Sequence, residues 1–263
     1  VYPIKGCRGI ALDRATIGAT GLRWDRHWML VRPDGRFVTQ REYPQLARVM
    51  PELRADTLRV SMLGSGECEV PLEYSGAALS VVVWRDRVRG IDCGDHAAAW
   101  FSRIASTPLR LVAFDPVVPR LSNRAYAGDV EARTEFSDGY AVLVTSEESL
   151  ADLNARLPVA PLPMNRFRPN VVVRGGEAYG EDRWRGFAIG AARLRGVKPC
   201  TRCVVTTTDQ DSGVVQGEEP LRTLKAYRFN RDLLGVTFGQ NAIVLSGAGT
   251  EISVGMPVAI DTD

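Results

Sequence analysis

The stretch Lys198-Pro199-Cys200-Thr201-Arg202-Cys203 runs straight into Val204-Val205-Thr206-Thr207-Thr208. Two cysteines spaced C-x-x-C admit several chemistries, and the residues just after them bear on the choice. A thioredoxin-like redox pair needs a helix starting at the cysteines, because a helix N-terminus lowers the thiol pKa. Val204–Thr208 is β-branched throughout and predicts a strand over Cys203–Thr208 instead. A structural zinc site needs four Cys or His ligands, usually as two such pairs. The other cysteines, Cys7, Cys68 and Cys93, are scattered, and His27 and His96 are the only histidines. On the tetrapeptide alone two further readings stand. Both thiols can be buried as small hydrophobes, or one thiolate can ligate a soft metal whose remaining ligands come from an organic cofactor. Lys198 and Arg202 beside the cysteines would favour a thiolate.

Outward from that stretch, strand signals dominate. His27–Val31 and Arg36–Gln40 flank Pro33-Asp34-Gly35 and read as a hairpin. Thr57–Met62, Leu79–Arg87, Leu109–Phe114, Tyr140–Val144, Asn170–Arg174, Phe187–Val197, Asn241–Ser246 and Pro257–Ile260 are further strand candidates. Helices are few. Asp95–Ile104 carries apolar residues at helical spacing, Ser146–Leu157 is amphipathic with Thr145 and Glu148 at capping-box spacing, and Pro220–Arg228 has Pro in its first turn. Pro116, Pro119 and the polar run Ser122–Thr134 are the best linker or lid. Many short strands with frequent Gly and Pro turns predict a β-rich, β-barrel-type α+β protein rather than a doubly wound sheet.

At 263 residues, 45% hydrophobic and 24% charged, the chain has room for one large or two modest domains with a packed core. A net charge of +2 argues against a general nucleic-acid binder. Arg far outnumbers Lys, which suits a small anionic ligand. There is no apolar run long enough for a transmembrane helix, no leader-like segment and no glycine-rich nucleotide fingerprint. An odd number of scattered cysteines predicts a reducing compartment, hence a cytoplasmic protein.

Several blocks in order resemble the MOSC superfamily, named for the C-terminal domain of molybdenum-cofactor sulfurases, and within it the amidoxime-reducing component branch and its bacterial relatives. They are Tyr2-Pro3-Ile4-Lys5-Gly6-Cys7 with Gly21-Leu22, Asp25-Arg26 and Trp28; Phe136-Ser137-Asp138; Arg166-Phe167-Arg168-Pro169-Asn170; Cys200-x-Arg202-Cys203 with Thr206-Thr207; Glu219-Pro220-Leu221; and Phe238-Gly239-Gln240-Asn241. The resemblance implies an N-terminal β-barrel-type domain over residues 1–117 and a C-terminal MOSC β-barrel domain over 118–263, with a few covering helices.

It also implies a molybdenum cofactor, with Cys203 as the protein ligand to the metal and Cys200 as a neighbour. Lys5, Arg26 and Arg168 are then a cationic clamp for the cofactor phosphate. Asn170, Asn241 and backbone groups near Gly139 and Tyr140 would meet the pterin edge, and Thr201 and Arg202 would touch the cofactor beside the metal. Asp138 occupies an acidic position near the metal, where handling a proton or capping a backbone turn are equal expectations. Two positions depart from the family. Gly6 stands where Ser is common, and Gly139-Tyr140 replaces a pair of small hydroxyl residues. The implied activity is molybdenum-dependent reduction of N-hydroxylated small molecules such as amidoximes and hydroxylamines. Electrons would come from a separate protein, a ferredoxin or a flavoprotein reductase. The alternatives are a cofactor-carrier or sulfur-handling module, or a β-barrel binding domain without metal.

Overall fold

The structure, a computed structural model, describes residues 1–261; the last two residues of the expected C-terminal domain lie outside them. The expectation of a β-rich α+β protein holds. Short strands curl into a half-barrel and a nearly closed barrel, and the few helices cover them.

The N-terminal part is built from two small antiparallel sheets. One orders Trp28–Val31, Arg110–Phe114, Asp86–Asp92 and Ala78–Val83, and the other Met50–Leu53, Thr57–Ser61 and Glu67–Pro71. Side chains on a strand alternate faces. Thr57–Ser61 and Glu67–Pro71 accordingly bury Leu58, Val60, Cys68 and Val70 and leave their neighbours outside. The helix Asp95–Ala105 closes this core with Ala97, Ala98, Trp100 and Phe101. Phe101 is fully buried with its ring edge-on to Trp100. Phe101→Ala should therefore lower unfolding free energy by about 3–5 kcal/mol in a urea titration; a loss under about 1 kcal/mol would contradict this packing.

The C-terminal part is built around one seven-stranded sheet. Its path runs Val171–Val173, Val142–Ser146, Gly235–Ser246, Ala192–Thr201, Gly186–Ile189 and Val258–Ile260, with Phe229–Asn230 paired to the long central strand. The ladder between Ala192–Thr201 and Gly235–Ser246 shifts register at Gly196/Lys198 and again at Pro199/Thr201. Proline cannot donate to a ladder, and bulges are where sheets tolerate it. These irregularities bend the strand end that carries Cys200. The N-terminal stretch is not confined to the first part. Arg14–Gly18 pairs with Thr250–Ser253, so the chain crosses a division at 117/118.

Several expected elements differ in detail. Leu79–Arg87 is two strands joined at Trp84-Arg85, and Phe187–Val197 is two strands joined at Gly190-Ala191. The cap of the helix Glu147–Arg156 is Ser146, whose hydroxyl accepts from the Ser149 backbone N–H. Thr145 lies one residue too early because the strand continues through Ser146. The run Ser122–Thr134 is ordered as the helix Arg124–Ala127 and the end strand Arg133–Thr134, and Arg195 donates to the Ala127 carbonyl.

The largest difference falls on the opening stretch. Val204–Thr207 is a single 3-10 turn, not a strand. The Thr206 hydroxyl donates to the Cys203 carbonyl at 2.9 Å and the Thr207 hydroxyl to the Val204 carbonyl at 2.8 Å. Such local side-chain bonds compete with a ladder. Arg166, buried, donates to the Thr207 carbonyl at 3.0 Å and to Asp209 Oδ2 at 3.1 Å, fixing the turn from below.

Candidate functional site

A cleft of about 160 Å³ opens where the two parts meet. Lys5, Gly6, Arg26, Asp138, Gly139, Tyr140, Arg168, Asn170, Thr201, Arg202, Cys203 and Asn241 all line it. Every site residue expected from the sequence is thus brought to one place. The N-terminal segment carries Lys5, Gly6 and Arg26. The loop ahead of Val142–Ser146 carries Asp138–Tyr140. The turn ahead of Val171–Val173 carries Arg168 and Asn170. The bent strand end carries Thr201 to Cys203, and the central strand carries Asn241.

The two thiols differ. Arg202 Nη1 donates to Cys200 Sγ at 2.9 Å and Arg202 Nη2 to the Phe167 carbonyl at 2.6 Å. Lys198 Nζ lies 4.7 Å over the Tyr126 ring, occupied elsewhere. Cys203 is half-buried, and its position at the start of the 3-10 turn is fixed by the backbone. The cation expected to favour a thiolate therefore serves Cys200.

The cations differ as well. Arg26 Nη1 donates to both Asp25 oxygens, at 2.6 and 2.8 Å, and Nη2 to the Arg168 carbonyl at 3.0 Å, so its charge is compensated. Lys5 is buried and contacts Asp138 Oδ1 at 2.5 Å. Burial pulls the Lys5 ammonium below its ordinary value, and Asp138 offsets this only in part. Desolvation at the cleft wall would raise the Asp138 carboxyl, but Lys5, the Trp84 indole N–H at 3.0 Å and Arg26 outweigh it. They hold it well below the usual carboxylate range. Asp138 is ionised at neutral pH and reaches out at the mouth, its side chain 76% exposed.

Among the described residues Arg168 has no carboxylate partner. Its Nη1 donates to Gln210 Oε1 at 3.2 Å, and its guanidinium lies 4.2 Å from the Tyr2 ring centroid. Arg26 lies 4.4 Å from that same ring. Burial pushes the Arg168 guanidinium down to about 10. Such a cation favours an incoming anion.

Two further buried groups lack partners. Asn170 Oδ1 accepts from the Leu143 N–H at 3.0 Å, but among the described residues neither Asn170 Nδ2 nor Arg202 Nε has a partner. Buried unpaired donors are costly and point to a ligand. Gly6 has φ +85, a conformation that glycine adopts without strain. Its carbonyl accepts from Gln40 Nε2 at 2.7 Å.

Sequence reasoning missed Tyr2, Gln40, Gln210, Trp84 and Arg166 as parts of this site. Gln40 and Gln210 are buried and exchange reciprocal side-chain bonds at 3.1 Å across the two parts. Tyr2 and Arg166 lie inside family-like blocks that could have marked them. The glutamines and Trp84 carry no spacing signal, because their partners are distant in sequence.

Among the described residues, no helix is long and apolar enough to cross a membrane, and no three His, Cys, Asp or Glu side chains group to hold a metal by themselves. Family comparison matches residues 1–108 to the MOSC N-terminal beta barrel domain and residues 131–259 to the MOSC domain. The chain is 38% identical over 273 residues to the human mitochondrial amidoxime-reducing component 1, covering 98% of this chain and 80% of that protein. It is likewise 38% identical over 237 residues to the bovine mitochondrial amidoxime reducing component 2, covering 87% and 70%. The solved structure of YiiM from Geobacillus stearothermophilus aligns with a TM-score of 0.35 at 15% identity, over 49% of this chain and 63% of that one. By both of its domains and by its long match to the amidoxime-reducing components, the chain belongs to the MOSC-domain superfamily.

Proposed function

We propose that this protein reduces N-hydroxylated small molecules, amidoximes and hydroxylamines among them, with a molybdenum cofactor held in the cleft. The observation that carries this reading is the convergence on one cleft of a half-buried Cys203 with an uncompensated Arg168 and the unpaired donors of Asn170 and Arg202. One soft thiolate suits a metal that brings its other ligands on a dithiolene, and the donors suit a phosphate and a polar ring edge. The residues present therefore fit the group.

In this reading Cys203 Sγ ligates the metal. Arg168 binds the phosphate, aided by Lys5 and by Arg26 from its pairing with Asp25. Asn170 Nδ2 and the neighbouring Asn241 meet the pterin edge, with backbone groups at Gly139 and Tyr140. Thr201 and Arg202 flank the ligand. When bound, the cofactor supplies the two-electron chemistry by which an N–OH group, two electrons and two protons become N–H and water. Asp138, ionised and tied to Lys5, sets the charge at the mouth and orients the ammonium rather than storing a proton of its own. Electrons come from a separate redox protein, a ferredoxin or flavoprotein reductase. The free cysteines fit a reducing compartment, and we assign the protein to the cytoplasm.

The test is direct. Protein purified from a host able to make the cofactor is expected to carry molybdenum and pterin in near-equal amounts and to reduce benzamidoxime with a chemical electron donor. Bound cofactor without turnover would instead favour a carrier module, and protein devoid of molybdenum would refute both.

A further inference from the structure

The mouth of the cleft carries a feature that neither the metal ligand nor the clamp uses. Trp84 sits in the tight turn between the strands Ala78–Val83 and Asp86–Asp92, with φ +57 and its side chain partly exposed. Its indole N–H is fixed by Asp138 at 3.0 Å, and its ring packs edge-on to Phe37 at 4.9 Å. The Arg41 guanidinium lies over that ring at 5.2 Å. Arg41 is exposed, and no carboxylate stands within ion-pair distance of it among the described residues. Both Arg41 and Trp84 line the cleft that holds Cys203.

A guanidinium held over an aromatic face is confined to that side of the ring while its outward N–H groups stay free. That edge matches a carboxylate or phosphate with two parallel bonds. The other cations of the cleft are compensated or deeper. Arg26 is paired with Asp25, Lys5 with Asp138, and Arg202 is held by Cys200 and the Phe167 carbonyl. Arg168 lies inside against Tyr2. Arg41 is the cation presented to an entering molecule.

Resting on the reductase reading above, we propose that Arg41, held over the Trp84 ring, is an anion-recognition subsite at the cleft mouth. It would select N-hydroxylated substrates that carry a carboxylate or phosphate on a planar body, remote from the N–O bond. An oxyanion there has two sources, the substrate or the cofactor's own phosphate. The rim position and exposure of Arg41 favour the substrate.

The experiment compares 4-carboxybenzamidoxime with benzamidoxime on cofactor-loaded wild type, Arg41→Gln and Trp84→Phe. Calorimetric binding of the products, 4-carboxybenzamidine and benzamidine, is measured alongside. In wild type the carboxylated substrate is expected to have the higher kcat/KM. In Arg41→Gln the carboxylated-to-neutral ratio should fall about tenfold, mostly through KM, with a matching loss in product binding. Trp84→Phe keeps a ring under Arg41 and should retain most of the discrimination. Equal effects on both substrates would overturn the subsite. Molybdenum lost from Arg41→Gln would overturn it too, by assigning Arg41 to the cofactor phosphate. If no variant or wild type turns over, but Arg41-dependent binding of the carboxylated product persists, the subsite stands and the reductase reading falls.

Discussion

Cys203→Ala is expected to lose its molybdenum and to cut amidoxime reduction by more than about 100-fold, whereas Cys200→Ala should keep the metal and most of the rate. The magnitude comes from ligand chemistry, since losing even a residue that supports a ligand typically costs roughly 10–100-fold in metal affinity or activity. The contrast comes from the geometry. Cys200 Sγ is taken by Arg202 Nη1, and deleting it leaves Arg202 still held by the Phe167 carbonyl. Cys203 sits at the head of the 3-10 turn, lining the cleft. Neither substitution removes much buried surface, because both side chains are half-buried, so both variants should unfold within about 1 kcal/mol of wild type. Metal analysis and kinetics on the two purified variants decide the matter. Equal loss from both, or a Cys200→Ala protein stripped of molybdenum while Cys203→Ala retains it, would refute the assignment.

How far the sequence carried depends on whether a feature is local. The helix Asp95–Ala105 was legible because its apolar residues recur on one face, and Thr57–Ser61 because its side chains alternate. The residues named for the candidate site could be picked out because they fall in compact blocks such as Arg166–Asn170, and they line one cleft. The 3-10 turn Val204–Thr207 was not. Its β-branched residues favour a strand by propensity, but two threonine hydroxyls bonding back along the chain and a buried arginine from a distant segment override them. Tertiary contacts of that kind leave no periodicity. The same holds for the reciprocal pair Gln40 and Gln210, and for Arg14–Gly18, whose partner strand lies at the other end of the chain. The turn also revises the case against a thioredoxin-like pair. A strand does lead into the cysteines, and a helical turn does come after them. One short 3-10 turn has far too few aligned peptides to act as a helix dipole, and the nearby guanidinium serves Cys200 rather than Cys203.

Arg166→Ala should destabilise the protein by about 3–5 kcal/mol and loosen the metal ligand at the same time. Arg166 is 2% exposed and donates to the Thr207 carbonyl, to Asp209 and to Gln216. Truncation strands the buried Thr207 carbonyl and takes the cation from Asp209, while the exposed Gln216 oxygen turns to water, and it opens a cavity under the turn. Arg166→Lys keeps the charge but not the fork, since one ammonium cannot span all three acceptors. It should recover only part of the loss. The turn begins at Cys203, so its loosening should appear as faster molybdenum release to a competing chelator. Comparing the two defects separates positioning from ligation. Cys203→Ala loses metal at near-normal unfolding free energy, whereas Arg166→Ala loses unfolding free energy first, even in protein prepared without cofactor, and metal in consequence. Urea titration of cofactor-free Arg166→Ala is the deciding measurement. An unfolding free energy within about 0.5 kcal/mol of wild type, the range of an ordinary surface substitution, would show that the buried guanidinium does not hold the turn that presents Cys203.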